Sequence, residues 1–484
     1  MKRIIAILLV LVLVVALVGC GKNNKRQPII LTLSTEDSEA ILNAAGIYLP
    51  DASTTAAAGS KIIYFSDNDL MNNYSEDEII NTGFYTFRER YGCEVEFWET
   101  DYFERFDNLA LLIMASTSPD FFPVGVSSEA TFPMYCIHNT FVPVDKYIDY
   151  TDPLWADMAE SAEAFALGDR HFAFVTDITF RNIVPFNTRI IGEYGYDDPV
   201  ELYMNDEWTW DKFYDMCADF SDPDNNRYAL DGYAYNGALT QEASGSKFVV
   251  KDENGHYASN LDDPILEQAN ELVYNLVKNG CVYHEGNNYW AGRNNHLEGA
   301  GMKEGDCLFY ITVFGNIQGP VAEISNVWGD VTEGELMFVP LPRNQNGDGE
   351  YYLASIPAGY MLVSGGQNPE GVALYAACER FKIIDPTVDR IDRRQLQDKY
   401  LWTQEMLDMY DECRKIILKN SYMYYNGNFI DNLNTAYNHF RDDIARGGAS
   451  TSWAQLKEQY KDQFEYYLDE QNKLIDDYIA GISN

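Results

Sequence analysis

Two strand–helix alternations followed by a third strand constrain the fold of this chain more than any other feature. Lys61–Ser66 (KIIYFS) and Glu94–Glu99 (EVEFWE) have the compact or alternating apolar patterns of strands. Apolar residues recur at helical spacing in 80–91 and 106–113, and Pro119 precedes another short apolar run. This βαβαβ order predicts a mainly parallel sheet with right-handed crossovers.

The rest of the chain is also mixed, which places it in the α/β class. With 484 residues, the chain is long enough for two or three domains. Helices are expected after Thr209 and at Pro369, and a capping box of Ser452 and Gln455 opens a helical C-terminal segment. Strands are predicted at Phe172–Ile178, Cys307–Phe314 and Met337–Leu341.

The N-terminus has the order of features of a bacterial lipoprotein signal. Lys2 and Arg3 precede an uninterrupted run of 15 apolar residues, Ile4–Val18, and Gly19 then precedes Cys20. Such a run is short for a membrane span but typical of a signal sequence. We expect residues 1–19 to be removed and Cys20 to carry a diacylglyceryl group with acyl chains such as palmitate, which anchor a protein to a membrane. An ordinary secretory signal with a chance cysteine is the alternative.

Residues 20–60 are expected to connect this anchor to the folded part. Gly21–Gln27 is polar and basic, and Ala52–Ser60 is low in sequence complexity, as linkers are. No later run approaches the ~20 apolar residues that a transmembrane helix needs.

The charge of the chain excludes several classes of partner. Asp and Glu number 75 against 35 Lys and Arg, which gives a net charge of -40. Because nucleic-acid affinity comes mainly from neutralised phosphates, no nucleic-acid partner is expected. The negative net charge also disfavours adsorption to anionic lipid head groups.

Cysteine and histidine usage gives no support to a disulfide framework or a metal site. Apart from Cys20, seven cysteines remain, an odd number without a CxxC pair. The six histidines have no metal-ligand spacing. Asp222–Tyr228 faintly resembles a calcium loop but has Arg227 where an EF-hand needs Gly. Nucleotide-binding and nucleophile-elbow motifs are absent from the sequence, so we expect no cofactor and no catalysis.

A series of short motifs resembles the extracellular solute-binding proteins of ABC importers, in the group 1 class that mostly handles sugars and oligosaccharides. They occur in the family's order within about residues 60–385, after the cysteine signal. Ser118 and Thr117 replace the family's usual Gly, Trp208 replaces its usual small residue or Pro, and residues 386–484 carry no matching motif. The motifs are Tyr91–Val95 (YGCEV), Ser118–Asp120 (SPD), Phe141–Ile148 (FVPVDKYI), Trp208–Phe213 (WTWDKF) and Phe338–Pro342 (FVPLP).

The resemblance implies a type II periplasmic-binding-protein-like fold: two α/β lobes joined by crossing strands, with a ligand cleft between them. Ligand contacts from both lobes would drive a hinge closure. The crossings are expected near Val175–Asn182 and Val339–Arg343. Lobe one is expected to comprise about 60–178 and 344–385, and lobe two about 179–343 and 386–484.

The function implied is capture of a sugar or oligosaccharide by a monomer anchored at the outer face of the cell membrane, or at the periplasmic face in a cell with two membranes. The protein would hand its ligand to ABC permease subunits. Three alternatives stay open: an anchored glycosidase-like enzyme, a binding protein for peptides or another polar solute, and a sensor partner that presents ligand to a membrane kinase.

The candidate ligand residues follow from sugar chemistry and strand ends. Aromatic rings pack on the apolar faces of a sugar, and polar side chains bind its hydroxyls. Open α/β sheets bind ligands at the carboxyl ends of their strands. On these grounds the candidates are Asp67, Asn68, Asp120, Arg181, Tyr235, Asn236, Trp290, Phe314, Asn316, Tyr360 and Trp402.

Each candidate also has a structural interpretation. Asp67 and Asn68 could cap a turn, and Asp120 could accept structural hydrogen bonds. Arg181 could form an ion pair in so acidic a chain, and the aromatic candidates could be core residues.

Overall fold

We obtained a computed structural model of the chain, which identifies two β-sheets with helices packed around them. The expected signal, the anchor residue Cys20 and Trp290 lie outside the described residues. The structure describes residues 35–69, 79–124, 131–231, 234–252, 255–284, 293, 299–420, 422–423, 430, 432–436, 439–440, 443 and 452–482.

The first sheet has seven strands and defines lobe one. Its order is β16-β15-β3-β1-β2, and β4 and β7 also pair with β15. β1 pairs in parallel with β2 and β3, as the βαβαβ pattern predicts, whereas β15 is antiparallel to β3 and β7. The strands are β1 (Lys61–Ser66), β2 (Glu94–Glu99), β3 (Phe121–Val124), β4 (Phe141–Val142), β7 (Phe174–Phe180), β15 (Ala354–Val363) and β16 (Tyr422–Met423).

The second sheet has five strands and defines lobe two. β8 lies at its centre, antiparallel to β12, β13 and β14, and β9 pairs in parallel with β12. Two small hairpins, β5–β6 and β10–β11, lie outside both sheets. The strands are β5 (Ala166–Leu167), β6 (Arg170–His171), β8 (Asn182–Asn187), β9 (Tyr228–Asp231), β10 (Val249–Lys251), β11 (Tyr257–Ser259), β12 (Cys307–Tyr310), β13 (Thr312–Val313) and β14 (Leu336–Val339).

Fifteen α-helices are described, and a π-helix, Ala238–Glu242, continues the ninth of them. They are α1 (Thr35–Ala44), α2 (Gly83–Tyr91), α3 (Arg105–Met114), α4 (Met134–Ile137), α5 (Ala159–Glu163), α6 (Thr188–Tyr194), α7 (Pro199–Met204), α8 (Trp210–Phe220), α9 (Ala234–Gly237), α10 (Pro264–Lys278), α11 (Val321–Val327), α12 (Pro369–Ile383), α13 (Pro386–Lys399), α14 (Gln404–Lys419) and α15 (Trp453–Ile482).

Local sequence signals account for several helix starts. The Thr209 hydroxyl accepts a hydrogen bond from the backbone N–H of Lys212 and caps α8. Pro369 occupies the first turn of α12 behind the N-cap Asn368. Ser452 and Gln455 form the predicted capping box before α15. Among the described residues, no helix is long and apolar enough to cross a membrane.

The segment expected to be a linker is folded from residue 35 onward, which corrects that expectation. α1 and the turns that follow it bury Leu42, Leu49 and Ala57 against lobe one. The Tyr91 hydroxyl donates a hydrogen bond to the carbonyl of Pro50, 2.7 Å away. Small residues such as those of Ala52–Ser60 fit close turns against a sheet edge as readily as they form linkers.

The C-terminal region is not confined to lobe two. β16 extends the lobe-one sheet, and α13 packs against α12 and α1. α14 contacts β7 of lobe one and β14 of lobe two, and α15 contacts α4 as well as β11 and α10. α14 and α15 therefore bridge the two lobes, whereas α13 packs on the lobe-one side.

The seven described cysteines are all buried and free, three of them in lobe two. Burial raises the pKa of each of these seven thiols. A buried neutral thiol behaves as a small apolar side chain.

Candidate ligand cleft

The carboxyl ends of strands from both lobes meet at the junction between the two sheets. β7 runs in the direction of β1, β2 and β3, because both β7 and β3 are antiparallel to β15. The chain leaves lobe one at the end of β7, passes through Arg181 and enters β8. β9, β12, β13 and β14 run back toward this junction, and residues 340–353 return the chain to β15. Because open α/β sheets bind ligands outside the carboxyl ends of their strands, this junction is the candidate ligand cleft.

A polar cluster lies at the junction. Asn182 Nδ2 donates a hydrogen bond to Glu242 Oε1 over 2.6 Å, and Arg181 Nη1 lies 3.5 Å from the same oxygen. The backbone N–H of Arg181 donates to the carbonyl of Ala354, and Phe314 N–H donates to the carbonyl of Arg181. The cluster thus connects the first crossing, the start of β15 and the π-helix that carries Glu242.

Glu242 is the most buried carboxylate of this cluster. Its side chain is 2% exposed, and burial raises the pKa of its carboxyl, an effect that Arg181 and Asn182 partly offset. Glu242 Oε2 and Asn182 Oδ1 are buried without a hydrogen-bond partner among the described residues.

An aromatic cluster backs the junction. The Phe314 ring lies 4.5 Å from that of Phe180, the last residue of β7, and 5.5 Å from that of Trp402. Tyr410 of α14 and Phe338 of β14 complete the cluster, at 5.4 Å and 5.9 Å from Phe314. Rings from lobe one, lobe two and the C-terminal helices therefore pack at one place.

Three of the expected ligand residues come together here, in different environments. Arg181 forms the ion pair with Glu242, and Phe314 is half-buried in the aromatic cluster. Asn316 is also half-buried, and its Nδ2 donates to the hydroxyl of Thr312 over 2.7 Å.

Asp67 and Asn68 lie on the lobe-one side of the cleft. They follow Ser66, the last residue of β1, and the backbone N–H of Asn68 donates to the Ser66 hydroxyl over 3.2 Å. Asp67 is half-buried and Asn68 is exposed, so both side chains are accessible to a ligand.

Asp120 lies at the opposite edge of lobe one, where β3 begins. Its carboxylate accepts hydrogen bonds from three backbone N–H groups: Ile63 at 2.8 Å, Gln367 at 2.7 Å and Asn368 at 2.9 Å. Asp120 is 4% exposed. It holds β1, β3 and the start of α12 together, so we assign it a structural role in place of the expected ligand role.

A cavity of about 670 Å³ opens at this same edge, away from the cleft. Asp120, Lys146, Tyr147, Asp169 and Arg170 are among the residues that line it. Its position beside the amino ends of the parallel strands separates it from the junction between the lobes.

Three aromatic candidates are core residues. Tyr360 is 6% exposed and lies inside β15, between the rings of Tyr64 and Tyr375. A β-bulge lies between Ala358 and Gly359 of this strand. A Cβ at Gly359 would lie 1.9 Å from the carbonyl oxygen of Phe174, which excludes other residues there.

Tyr235 and Trp402 are each 1% exposed and belong to the main core. Asn236 is in the short helix α9. Trp290 and Cys20 remain predictions, because both are outside the described residues.

Sequence reasoning missed Glu242 and Asn182. Glu242 is one of 75 acidic residues and has no motif around it. A weak signal for Asn182 was available, since it follows Arg181 directly at the expected crossing.

No protein-family model matches the sequence, and no curated protein is detectably similar to it. Solved structures do match. The sugar-binding protein MalE of Xanthomonas citri is 13% identical, with a TM-score of 0.58 over 88% of this chain and 99% of that chain. The galacto-N-biose/lacto-N-biose I-binding protein of a Bifidobacterium longum ABC transporter, solved with lacto-N-biose, is 12% identical, with a TM-score of 0.58 over 86% of this chain and 97% of that chain.

A third match is the GacH receptor of Streptomyces glaucescens, solved unliganded and with acarbose. It is 13% identical, with a TM-score of 0.55 over 85% of this chain and 98% of that chain. At such low identity the likeness concerns the fold. This chain has the two-lobed, periplasmic-binding-protein-like fold of the substrate-binding proteins of ABC transporters.

Proposed function

We propose that this protein captures a sugar or oligosaccharide in the cleft between its lobes and delivers it to an ABC-type importer without catalysis. The observation that carries the proposal is the meeting of strand carboxyl ends from two lobes at one hinge. Two of the matched proteins were solved with a saccharide bound, acarbose in one and lacto-N-biose in the other, and both share this architecture.

The chemistry of the cleft supports a neutral, hydroxyl-rich ligand. Asp67 and Asn68 offer acceptors and donors for hydroxyls on the lobe-one side. Arg181 is paired with Glu242, so its charge is already offset. With a net charge of -40, the chain as a whole repels anionic ligands.

A thermal-shift screen of the fragment from residue 21 tests this function against monosaccharides, oligosaccharides and peptides. A ligand that binds only the folded state stabilises it by RT ln(1 + [L]/Kd), about 2.7 kcal/mol at a hundredfold excess over Kd. We expect one sugar class to raise the melting temperature and to be recovered intact. Stabilisation by peptides alone would overturn the sugar assignment, and recovery of cleaved sugar would favour a glycosidase.

Closure can be measured independently by small-angle X-ray scattering. The sugar that stabilises the protein should reduce its radius of gyration, because only a ligand that prefers the closed state shifts the hinge equilibrium. An unchanged radius at saturating ligand would contradict hinge closure while leaving binding intact.

We further propose that Cys20 carries the lipid anchor and that the protein lies at the outer face of the cell membrane. The order of charged, apolar and small residues before Cys20 supports this. The full chain expressed in a bacterial host should fractionate with membranes and yield an acylated N-terminal peptide by mass spectrometry. Cys20→Ser should release it to the soluble fraction. An unmodified mature N-terminus in the wild type would support an ordinary secretory signal.

A further inference from the structure

We propose that Tyr102 and Phe103 form an outer ligand subsite, which binds one unit of an oligosaccharide at the rim of the cleft farthest from the hinge. This inference rests on the proposed sugar-binding function and deepens it, because it assigns the ligand to the oligosaccharides rather than to single sugars. The pair was not among the residues singled out from the sequence.

The position of the two rings is set by the sheet. They follow β2, whose last residue Glu99 pairs with Ser66 of β1. The backbone N–H of Thr100 donates to the carbonyl of Ser66 over 3.1 Å. Tyr102 and Phe103 therefore lie at the same cleft-facing edge as Asp67 and Asn68, one strand farther out.

The fold leaves the ring of Phe103 uncovered. Phe103 is 89% exposed, the largest value among the exposed large apolar residues of the described chain. The Asp101 carboxylate accepts a hydrogen bond from the Phe103 N–H over 2.8 Å and fixes the turn that presents the ring. A ring held at a ligand-binding edge and left uncovered is available to pack on the apolar face of a sugar.

Neighbouring side chains hold this platform in place. The Tyr102 ring meets that of Phe103 edge to face, with centroids 5.2 Å apart and an interplanar angle of 88°. The guanidinium carbon of Arg105 lies 3.8 Å from the centroid of Tyr102, and Arg105 is only 7% exposed. Arg105 also donates to the carbonyl of Tyr102. Because the supporting side chain is buried, the rings lose little conformational freedom when a ligand binds.

The sheet order gives the span that a ligand must cover. β15, which begins at the junction between the lobes, is three strand-to-strand steps from β2, through β3 and β1. At about 4.8 Å per step, Tyr102 and Phe103 at the end of β2 lie roughly 14 Å from β15. A single sugar ring cannot reach both the polar cluster at Arg181 and the ring of Phe103, whereas a linear oligosaccharide can.

The test measures affinity against ligand length by isothermal titration calorimetry, with a homologous series from the monosaccharide upward in the sugar class that stabilises the protein. In the wild type, affinity should increase further when the ligand becomes long enough to contact Phe103. Phe103→Ala should remove that last rise, about a threefold to tenfold loss for the long ligand, and leave the shortest ligands unchanged.

Tyr466→Ala is the matched control, because Tyr466 is a 60% exposed aromatic residue on α15. It should bind every length as the wild type does. Phe103→Ala with wild-type affinity at all lengths would overturn the subsite. An equal loss at all lengths would also overturn it, because it would mean that Phe103 acts through closure of the lobes.

The two proposals fail differently. If only monosaccharides bind, or affinity stops rising before the platform is reached, the outer subsite is wrong and sugar binding stands. If no sugar of any length binds the wild type, both the outer subsite and the sugar-binding function are wrong.

Discussion

Two buried carboxylates at opposite edges of the molecule differ in how well they are satisfied. Asp120, at the far edge of lobe one, accepts three backbone N–H groups within 2.9 Å. Glu242, at the hinge, has one oxygen bound by Asn182 and near Arg181, while its Oε2 has no partner among the described residues. The hydroxyl of Ser355, at the start of β15, is likewise buried without a described partner.

This difference separates groups that build the fold from groups that can respond to their surroundings. A fully satisfied carboxylate contributes through its hydrogen bonds, and any change costs stability. A partly satisfied buried carboxylate is sensitive to protonation, because burial penalises its charged form. The junction between the two lobes holds the second kind.

The largest effect on stability is expected for Asp120→Ala. It leaves three backbone N–H groups without an acceptor, and we expect a loss of about 3–5 kcal/mol in the free energy of unfolding. Ligand affinity of the folded protein should stay unchanged, because Asp120 lies away from the cleft. Urea denaturation and calorimetry measure the two quantities separately.

Asp149→Ala is the control for this prediction. Asp149 also accepts hydrogen bonds from a backbone N–H and a hydroxyl, both of Thr151, but it is exposed. We expect a loss of about 1 kcal/mol or less, typical of a surface turn. A weakened ligand affinity in folded Asp120→Ala would restore the ligand role predicted from the sequence.

Glu242 is expected to give a smaller effect that depends on the substituent. Glu242→Ala removes the acceptor of Asn182 Nδ2 and should cost about 2–3 kcal/mol. Glu242→Gln keeps an acceptor for Asn182 Nδ2 and removes the buried charge, so it should lose less stability than Glu242→Ala. Equal losses in the two variants would mean that this acceptor contributes nothing to stability.

The pH dependence of this pair has a defined sign. Burial raises the pKa of Glu242 in the folded state, and Arg181, Asn182 and the backbone of Ala354 act in the opposite sense. The stability that protonated Glu242 contributes is fully present below the unfolded pKa of about 4.3 and is lost as pH rises through the folded pKa. The free energy of unfolding of Glu242→Gln, relative to that of the wild type, should therefore increase with pH in urea titrations.

The sequence predicted those parts of the fold that depend on neighbouring residues. Lys61–Ser66 and Glu94–Glu99 are strands with the bounds expected, and Thr209 caps its helix, because apolar period and capping act within a few positions. Ala52–Ser60 was predicted to be a linker because of its low complexity, whereas its packing depends on lobe one, which buries Ala57.

The site was less predictable, because its contacts are distant in sequence. Asp120 binds N–H groups 247 and 248 positions away, so the sequence left both a structural and a ligand role open for it. Glu242 lies 60 positions from Asn182. Arg181, in contrast, was placed at the crossing by its position directly after a predicted strand.

Glu379 is intermediate between Asp120 and Glu242 in how well its carboxylate is hydrogen-bonded. We expect its substitution to change the free energy of unfolding least. It is half-buried between α2 and α12, where its Oε1 accepts from the backbone N–H of Phe84 over 3.0 Å. Burial raises its pKa to about 7, although the bonds from Tyr375 and Phe84 act in the opposite sense. Because the folded pKa exceeds the unfolded value of about 4.3, its stabilising contribution is present at low pH and is lost as pH rises through 7.

Glu379→Gln should therefore match the wild type near pH 5 and exceed it at pH 8.5, by about 1–2 kcal/mol after allowance for partial exposure. The measurement is the difference in unfolding free energy between the two proteins across this range. Glu89→Gln on the exposed face of α2 is the control and should show no such trend. A flat difference for Glu379→Gln would mean that the Phe84 and Tyr375 bonds outweigh burial, and that two partners are enough to make a carboxylate behave like Asp120.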